Sequence, residues 1–187
     1  MKKTIAVTIL LLIVIGSLLP AGQITGGGTL SVGWGLYNKE KSKAMGPTAA
    51  LYGNAGYDFN KSLSAFGEAS IVFFSPTIQK SNFINVRSGA GLAVGVGGAW
   101  TFNGGFSVSA STGFYFERFD NGIIRYESGM YVTVKPKFLV FPIERVGDFF
   151  NLQIALPCSL YMSGSGCRIV VSAAIGFDCS EYGRRNK

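Results

Sequence analysis

The sequence predicts an all-β fold: an eight-stranded antiparallel up-and-down transmembrane β-barrel. Three observations carry that reading. Apolar and polar residues alternate with a period of two through eight successive segments after Gly28, and the charges of those segments gather on one face. Beyond Gly22 no apolar run approaches the roughly 18 residues a membrane helix needs, although the mean hydropathy is positive. The 26 glycines, 15 phenylalanines and 8 tyrosines beside only 14% charged residues spread the apolar character over many short segments, and 187 residues suit one domain.

Residues 1–22 read as a signal peptide and stand outside the fold. Lys2 and Lys3 form the basic start, Ile5 to Leu19 the apolar stretch, and Pro20, Ala21 and Gly22 lead to a poorly matched cleavage site. An uncleaved anchor helix is the alternative. The first cysteine is Cys158, so no cysteine here could carry a lipid. Residues 23–187 are then a single barrel domain with a short polar tail at 179–187.

Segment one, Thr29 to Asn38, sets Leu30, Val32, Trp34 and Leu36 against Ser31, Gly33, Gly35 and Tyr37, and a charged loop, Lys39 to Lys43, closes it, with the external stretch running on to Pro47. Segment two, from about Ala49 to Phe59, sets Leu51, Tyr57 and Phe59 against Tyr52, Asn54 and Asp58 and turns at Asn60, Lys61 and Ser62. In segment three Leu63, Ala65, Ala69, Ile71 and Phe73 oppose Ser64, Phe66, Glu68 and Ser70; Ser75 to Asn85, containing Pro76, is a longer loop. Segment four sets Leu92, Val94, Val96, Trp100 and Phe102 against Arg87, Gly91, Ala93, Gly95 and Gly97, then ends at the hairpin signal Asn103-Gly104-Gly105.

Segment five places Phe106, Val108, Ala110, Thr112, Phe114 and Phe116 opposite Ser107, Ser109, Ser111, Tyr115 and Glu117, and turns at Asp120-Asn121-Gly122. Segment six, Ile123 to Phe138, sets Tyr126, Met130, Val132, Val134 and Phe138 against Arg125, Glu127, Tyr131, Thr133, Lys135 and Lys137. After a turn at Pro142 to Asp148, segment seven opposes Phe150, Leu152, Ile154, Leu156, Cys158, Leu160 and Met162 to Asn151, Gln153, Ser159 and Tyr161. Ser163 to Gly166 turns the chain into segment eight, where Cys167, Ile169, Val171, Ala173, Ile175 and Phe177 oppose Arg168, Ser172 and Asp178.

The distribution of charge decides the solvent. Asp58, Glu68, Arg87, Glu117, Arg125, Glu127, Lys135, Lys137, Arg168 and Asp178 all fall on the polar faces, and the other face is expected to be free of charge. A soluble barrel needs the reverse, and a charge-free face continuous over eight strands is too large for a surface in water. A lipid-facing charge at mid-bilayer costs roughly 2–4 kcal/mol, so these ten residues are expected inside, as an ion network lining the lumen. Tyr52, Phe66, Tyr115, Tyr131 and Tyr161 share that interior.

Lipid also accounts for the aromatics. Tyr57, Phe59, Trp100, Phe102, Phe106, Phe138, Phe150 and Phe177 sit on apolar faces near one end, as a periplasmic girdle, and Trp34, Phe73, Phe114, Phe116 and Tyr126 form an outer belt. A bilayer cannot satisfy an open sheet edge, so the strands must close into a ring. Pro136 and Pro157 each remove a ladder donor within a strand, which predicts a bulge or irregular pairing near each.

In its eight alternating segments and interior charges behind an export signal, the chain resembles the small eight-stranded outer-membrane barrels of bacteria, the OmpX and OmpA transmembrane-domain type. The resemblance covers the mature chain and is one of architecture rather than motif. It implies a bacterial outer-membrane location with both termini in the periplasm, a monomer, and contacts with outer-membrane lipid and the barrel-assembly machinery. Such barrels usually end on an aromatic residue, whereas Phe177 is followed by Asp178 to Lys187.

Function is less constrained. There is no histidine, which removes His-dependent proteases and Ser-His lipid hydrolases, and neither Cys-x-x-Cys spacing nor imidazole supports a metal site, so no cofactor is expected. Glu68, Glu117 and Glu127 fit structural ion pairs better than acid/base chemistry. Cys158, Cys167 and Cys179 read as packing residues: if Met162 pairs with Cys167, Cys158 lies opposite Val171, too far for a bridge. Of the +7 net charge, Lys39, Lys41 and Lys43 concentrate a part in one outer loop, suited to anionic glycans or headgroups, and no motif supports nucleic acid. Two classes follow: a non-enzymatic surface protein with a structural or adhesin-like role toward a host or envelope ligand through its outer loops, or a narrow porin-like pore for small solutes. The filled interior favours the first, and the small residues of segments four and five are the argument for the second.

Overall fold

The computed structural model describes residues 23–39, 42–60, 62–75, 77–78, 89–102, 105–120, 124–142, 151–164 and 166–178. Every regular element among them is a strand: β1 (Gln23–Lys39), β2 (Ser42–Asp58), β3 (Leu63–Phe74), β4 (Thr77–Ile78), β5 (Gly89–Thr101), β6 (Phe106–Asp120), β7 (Ile124–Pro142), β8 (Asn151–Ala155), β9 (Cys158–Ser163) and β10 (Gly166–Asp178). β4 adds two residues beside Ala44 and Met45 of β2, and β8 with β9 make one stave interrupted at Leu156 and Pro157. The result is a ring of eight antiparallel staves. It closes because β1 pairs with β2 on one side and with β10 on the other, leaving neither without a neighbour.

The stagger of the ring can be followed residue by residue. From Gly28 the ladder partners run through Gly53, Ala69, Val94, Phe114, Met130, Met162 and Cys167 and return to β1 at Asn38. That displacement of about ten residues is the shear that tilts the strands of a small barrel by roughly 35–45°. At the end holding Gln23 and Asp178, here the terminal end, β2 turns into β3 where Asn60 Oδ1 accepts the Ser62 and Leu63 amides at 2.8 and 2.9 Å. Gly105 adopts φ 81° where β5 turns into β6, a left-handed conformation that calls for glycine.

Alternation survives closure throughout. Leu30, Val32, Leu51, Ile71, Val94, Val96, Val132, Ile154, Val171 and Ile175 stand exposed on the outside, while Ser31, Ala50, Tyr52, Ala93, Tyr131 and Tyr161 are buried within. Three expectations need correction. β1 and β2 begin earlier and meet further out than the alternation marks, so Pro47 lies in β2 opposite Trp34, and Lys39 and Lys43 belong to ladder rungs rather than to a loop. These weak β-formers are carried by the strands beside them.

The prolines behave differently from each other. A register shift falls between Leu139 and Phe141, a few residues beyond Pro136, which itself keeps its place opposite Val108. No shift accompanies Pro157: Ala155 and Cys158 keep the same frame against both β7 and β10. Its carbonyl still accepts the Ser172 amide at 3.0 Å, and the Leu156 amide reaches the Pro136 carbonyl at 3.0 Å, so only the one donor is lost. The third correction is Arg118. It continues the Phe114 and Phe116 face and stands exposed on the outside, so that face carries a charge after all.

Candidate functional site in the lumen

The lumen is built from inward positions of all eight staves, and β7 gives its order. From the terminal end toward the far end its inward residues include Lys137, Lys135, Thr133, Tyr131, Gly129 and Glu127. Lys135 forms a buried ion pair with Glu68 of β3 on the opposite wall. Ser111 of β6 donates to the other Glu68 oxygen at 3.1 Å, and the Lys135 ammonium lies 4.0 Å from the centre of the Tyr52 ring. Each charge therefore has a counter-charge and further polar or π contacts, which burial of an ion demands.

Above this pair lies a neutral layer. Thr133 donates to the Ser159 hydroxyl at 2.8 Å, and Tyr161 packs edge-on against Tyr115 at 5.2 Å and nearly parallel to Tyr131 at 6.0 Å. A second buried ion pair follows, between Arg168 of β10 and Glu117 of β6. The guanidinium lies 4.5 Å from the centre of the Phe74 ring and 4.3 Å from that of the Tyr161 ring, so two aromatic rings pack close to it while its Nη2 meets the carboxylate. Nearest the far end the Tyr37 hydroxyl donates to Glu127 at 3.3 Å.

The small inward face of β5 is occupied by these bulky groups. A Cβ on Gly97 would come within 2.7 Å of the Phe66 ring and one on Gly91 within 2.8 Å of the Glu117 side chain, while Gly95 meets the Tyr131 hydroxyl and Gly89 the Phe74 ring. The glycines thus leave room for four large side chains from β3, β6 and β7. They do not open a channel along β5.

Of the expected interior charges, Glu68, Glu117, Lys135, Lys137 and Arg168 are buried and Glu127 is half-buried. Asp58 and Asp178 are half-buried at the terminal end, and Lys137 lies 6.0 Å from the Phe66 ring. Arg87 and the Arg125 side chain lie outside the described residues. The ion pair of Glu117 reaches across to Arg168, and its neighbour in the β6–β7 ladder is Glu127. Alternation alone did not single out Tyr37, Ser111 or Phe74, which needed the cross-lumen partner to be known. The outward place of Arg118 was already legible from the phase of β6.

Trp100, Phe102, Phe138 and Phe177 are exposed outward near the terminal end, where Phe106 stacks with Phe102 at 5.5 Å and contacts Phe138 at 4.9 Å; Tyr57 and Phe59 meet edge-on at 5.5 Å. Trp34, Phe73, Phe114, Phe116 and Tyr126 are exposed toward the other end. Phe150 and Lys41 lie outside the described residues. Cys158 and Cys167 are free thiols, and the pairings Met162 with Cys167 and Cys158 with Val171 hold them on separate rungs. Among the described residues no group of His, Cys, Asp and Glu is placed to hold a metal ion.

No protein-family model and no curated protein sequence matches the chain. Solved structures do. The attachment invasion locus protein Ail of Yersinia pestis is similar over 82% of this chain and 98% of its own, with a TM-score of 0.50 and 15% identity. Neisserial surface protein A is similar over 81% of this chain and 95% of its own, with a TM-score of 0.53 and 10% identity. At such identities the likeness is one of fold, the small eight-stranded outer-membrane barrel.

Proposed function

We propose that this chain is a non-enzymatic outer-membrane surface protein that meets a host or envelope ligand through the loops and strand ends opposite its termini, and that its lumen does not conduct. The observation that carries the reading is the filled interior. Two ion pairs, Glu68 with Lys135 and Glu117 with Arg168, lie above and below a layer of tyrosines. An eight-stranded ring leaves an interior just wide enough for side chains, and here the glycine face of β5 receives Phe66, Tyr131, Glu117 and Phe74. The carboxylates best sited for acid/base work are already held by cations, which supports the non-enzymatic reading.

An attachment invasion protein and a surface protein share the fold, which agrees with a role in contact at the cell surface. In this reading both termini are periplasmic, the outward aromatics mark the two membrane interfaces, and the monomer is inserted by the barrel-assembly machinery with Phe177 as its internal aromatic signal. The test is twofold. The refolded protein is expected to give no conductance steps in planar bilayers, and a tag within 79–88 is expected to bind antibody on intact cells while one at Asn60 to Ser62 does not. Regular steps would make the narrow pore the better reading, and the inverse labelling would reverse the orientation.

A further inference from the structure

Arg118 differs from the other charges of the barrel. Among the side chains described it is the only charge on the outward face, and it lies two residues from the end of β6. Its ladder partners are Ala90 of β5 and Tyr126 of β7; two residues along, Phe116 is flanked by Leu92 and Ser128. These positions line a cleft of about 440 Å³. Gly91, Glu117 and Glu127, which alternate with them on the same strands and face the lumen, complete the lining, while Ala90, Leu92, Phe116, Arg118, Tyr126 and Ser128 are all exposed, so the cleft opens on the outside of the wall.

The sizes of the side chains shape it. Ala90 and Ser128 are low, whereas Phe116 and Tyr126 project, 61% and 77% exposed, with Leu92 beside them. The cleft is mainly apolar, and a guanidinium stands at its far end. A lipid-facing arginine costs roughly 2–4 kcal/mol at the bilayer midplane but only about 0–1 near the interface, the depth at which lipid phosphates lie. Guanidinium and phosphate match as two parallel hydrogen bonds, and an acyl chain suits an apolar trough below them.

We infer that this cleft binds an anionic phospholipid, its phosphate on Arg118 and one acyl chain lying between Phe116 and Tyr126. The inference rests on the outward face meeting a bilayer, as proposed above. The refolded chain in zwitterionic micelles would be offered equal amounts of phosphatidic acid and phosphatidylcholine with identical acyl chains, and the retained lipid read by native mass spectrometry. Retention should favour phosphatidic acid about fivefold, the increment one arginine contributes at an anionic surface. Arg118→Gln should abolish the preference and Arg118→Lys keep part of it. Ala90→Phe, which fills the trough and leaves the charge, should lower retention of both lipids. Equal retention of the two lipids by the unmodified chain overturns the proposal without any variant, as does a preference that persists in both Arg118→Gln and Ala90→Phe. The reading beneath it fails differently, by a folded chain that does not insert into vesicles at all.

Discussion

Replacing Lys135 by Met should destabilise the barrel more than any other single change in the lower lumen. The side chain is 4% exposed and its partner Glu68 3%, so removing the ammonium leaves a carboxylate facing only the Ser111 hydroxyl. Stranding one member of a buried pair typically costs about 3–5 kcal/mol. Glu68→Gln should cost less, about 1–3 kcal/mol, because an amide oxygen can still accept from Lys135 and Ser111. The double variant removes both charges from a layer that keeps its tyrosines, and such replacements are often close to neutral. The coupling energy should therefore reach about 4 kcal/mol or more, above the range usual for directly interacting residues. Urea unfolding in detergent or lipid, followed by the emission of outward-facing Trp34 and Trp100, measures it. A coupling below about 0.5 kcal/mol would refute the argument, because it would mean that water screens the two groups. The same result would favour an open lumen over the plugged one.

Three further outcomes follow from the same geometry. Val96, 67% exposed at the middle of β5, faces the bilayer in the proposed reading, so Val96→Arg should cost roughly 2–4 kcal/mol of membrane-state stability and Val96→Leu almost nothing, as urea unfolding in vesicles would read. A Cβ on Gly129 would run into the Met162 carbonyl and lie 2.9 Å from the Tyr115 ring, whereas one on Gly53 meets nothing within 4 Å. Gly129→Ala should lower the urea midpoint by an amount equivalent to about 1–3 kcal/mol, and Gly53→Ala should leave it unchanged. Cys158 is exposed on the outward face, so in vesicles it should resist a charged, membrane-impermeant thiol reagent and yet react with a permeant maleimide; rapid labelling by the charged reagent would place that face in water.

What the sequence discloses is the face on which a side chain lies. A strand has a strict period of two, so one well-marked stretch such as Met130 to Phe138 fixes inside and outside for every residue in phase with it. It also discloses turns, since Asn60 and Gly105 act through their own local geometry. Strand ends are less legible. Gln23 to Gly28 and Ser42 to Pro47 contain few β-formers, and they pair because the β1–β2 ladder extends over both of them, with β4 also beside Ala44 and Met45. Height around the ring is not legible at all. Glu68 and Lys135 are 67 residues apart and Glu117 and Arg168 are 51 apart, and only the stagger accumulated over the ring brings each pair to one level.

That stagger also explains why, in the proposed reading, recognition sits away from the lumen. With about ten residues of shear over eight staves, the inward side chains of opposite walls come within reach of one another. The glycine face of β5 then becomes the space into which Phe66, Tyr131, Glu117 and Phe74 fit. Enlarging any of those glycines must displace one of these groups, and displacing Glu117 would strand Arg168. A ligand entering the lumen would have to do the same, breaking a buried ion pair without offering an equivalent replacement. The outside of the wall carries no such cost. At the cleft between β5, β6 and β7 the apolar surface and the Arg118 guanidinium are already exposed, so a lipid bound there need displace no packed side chain.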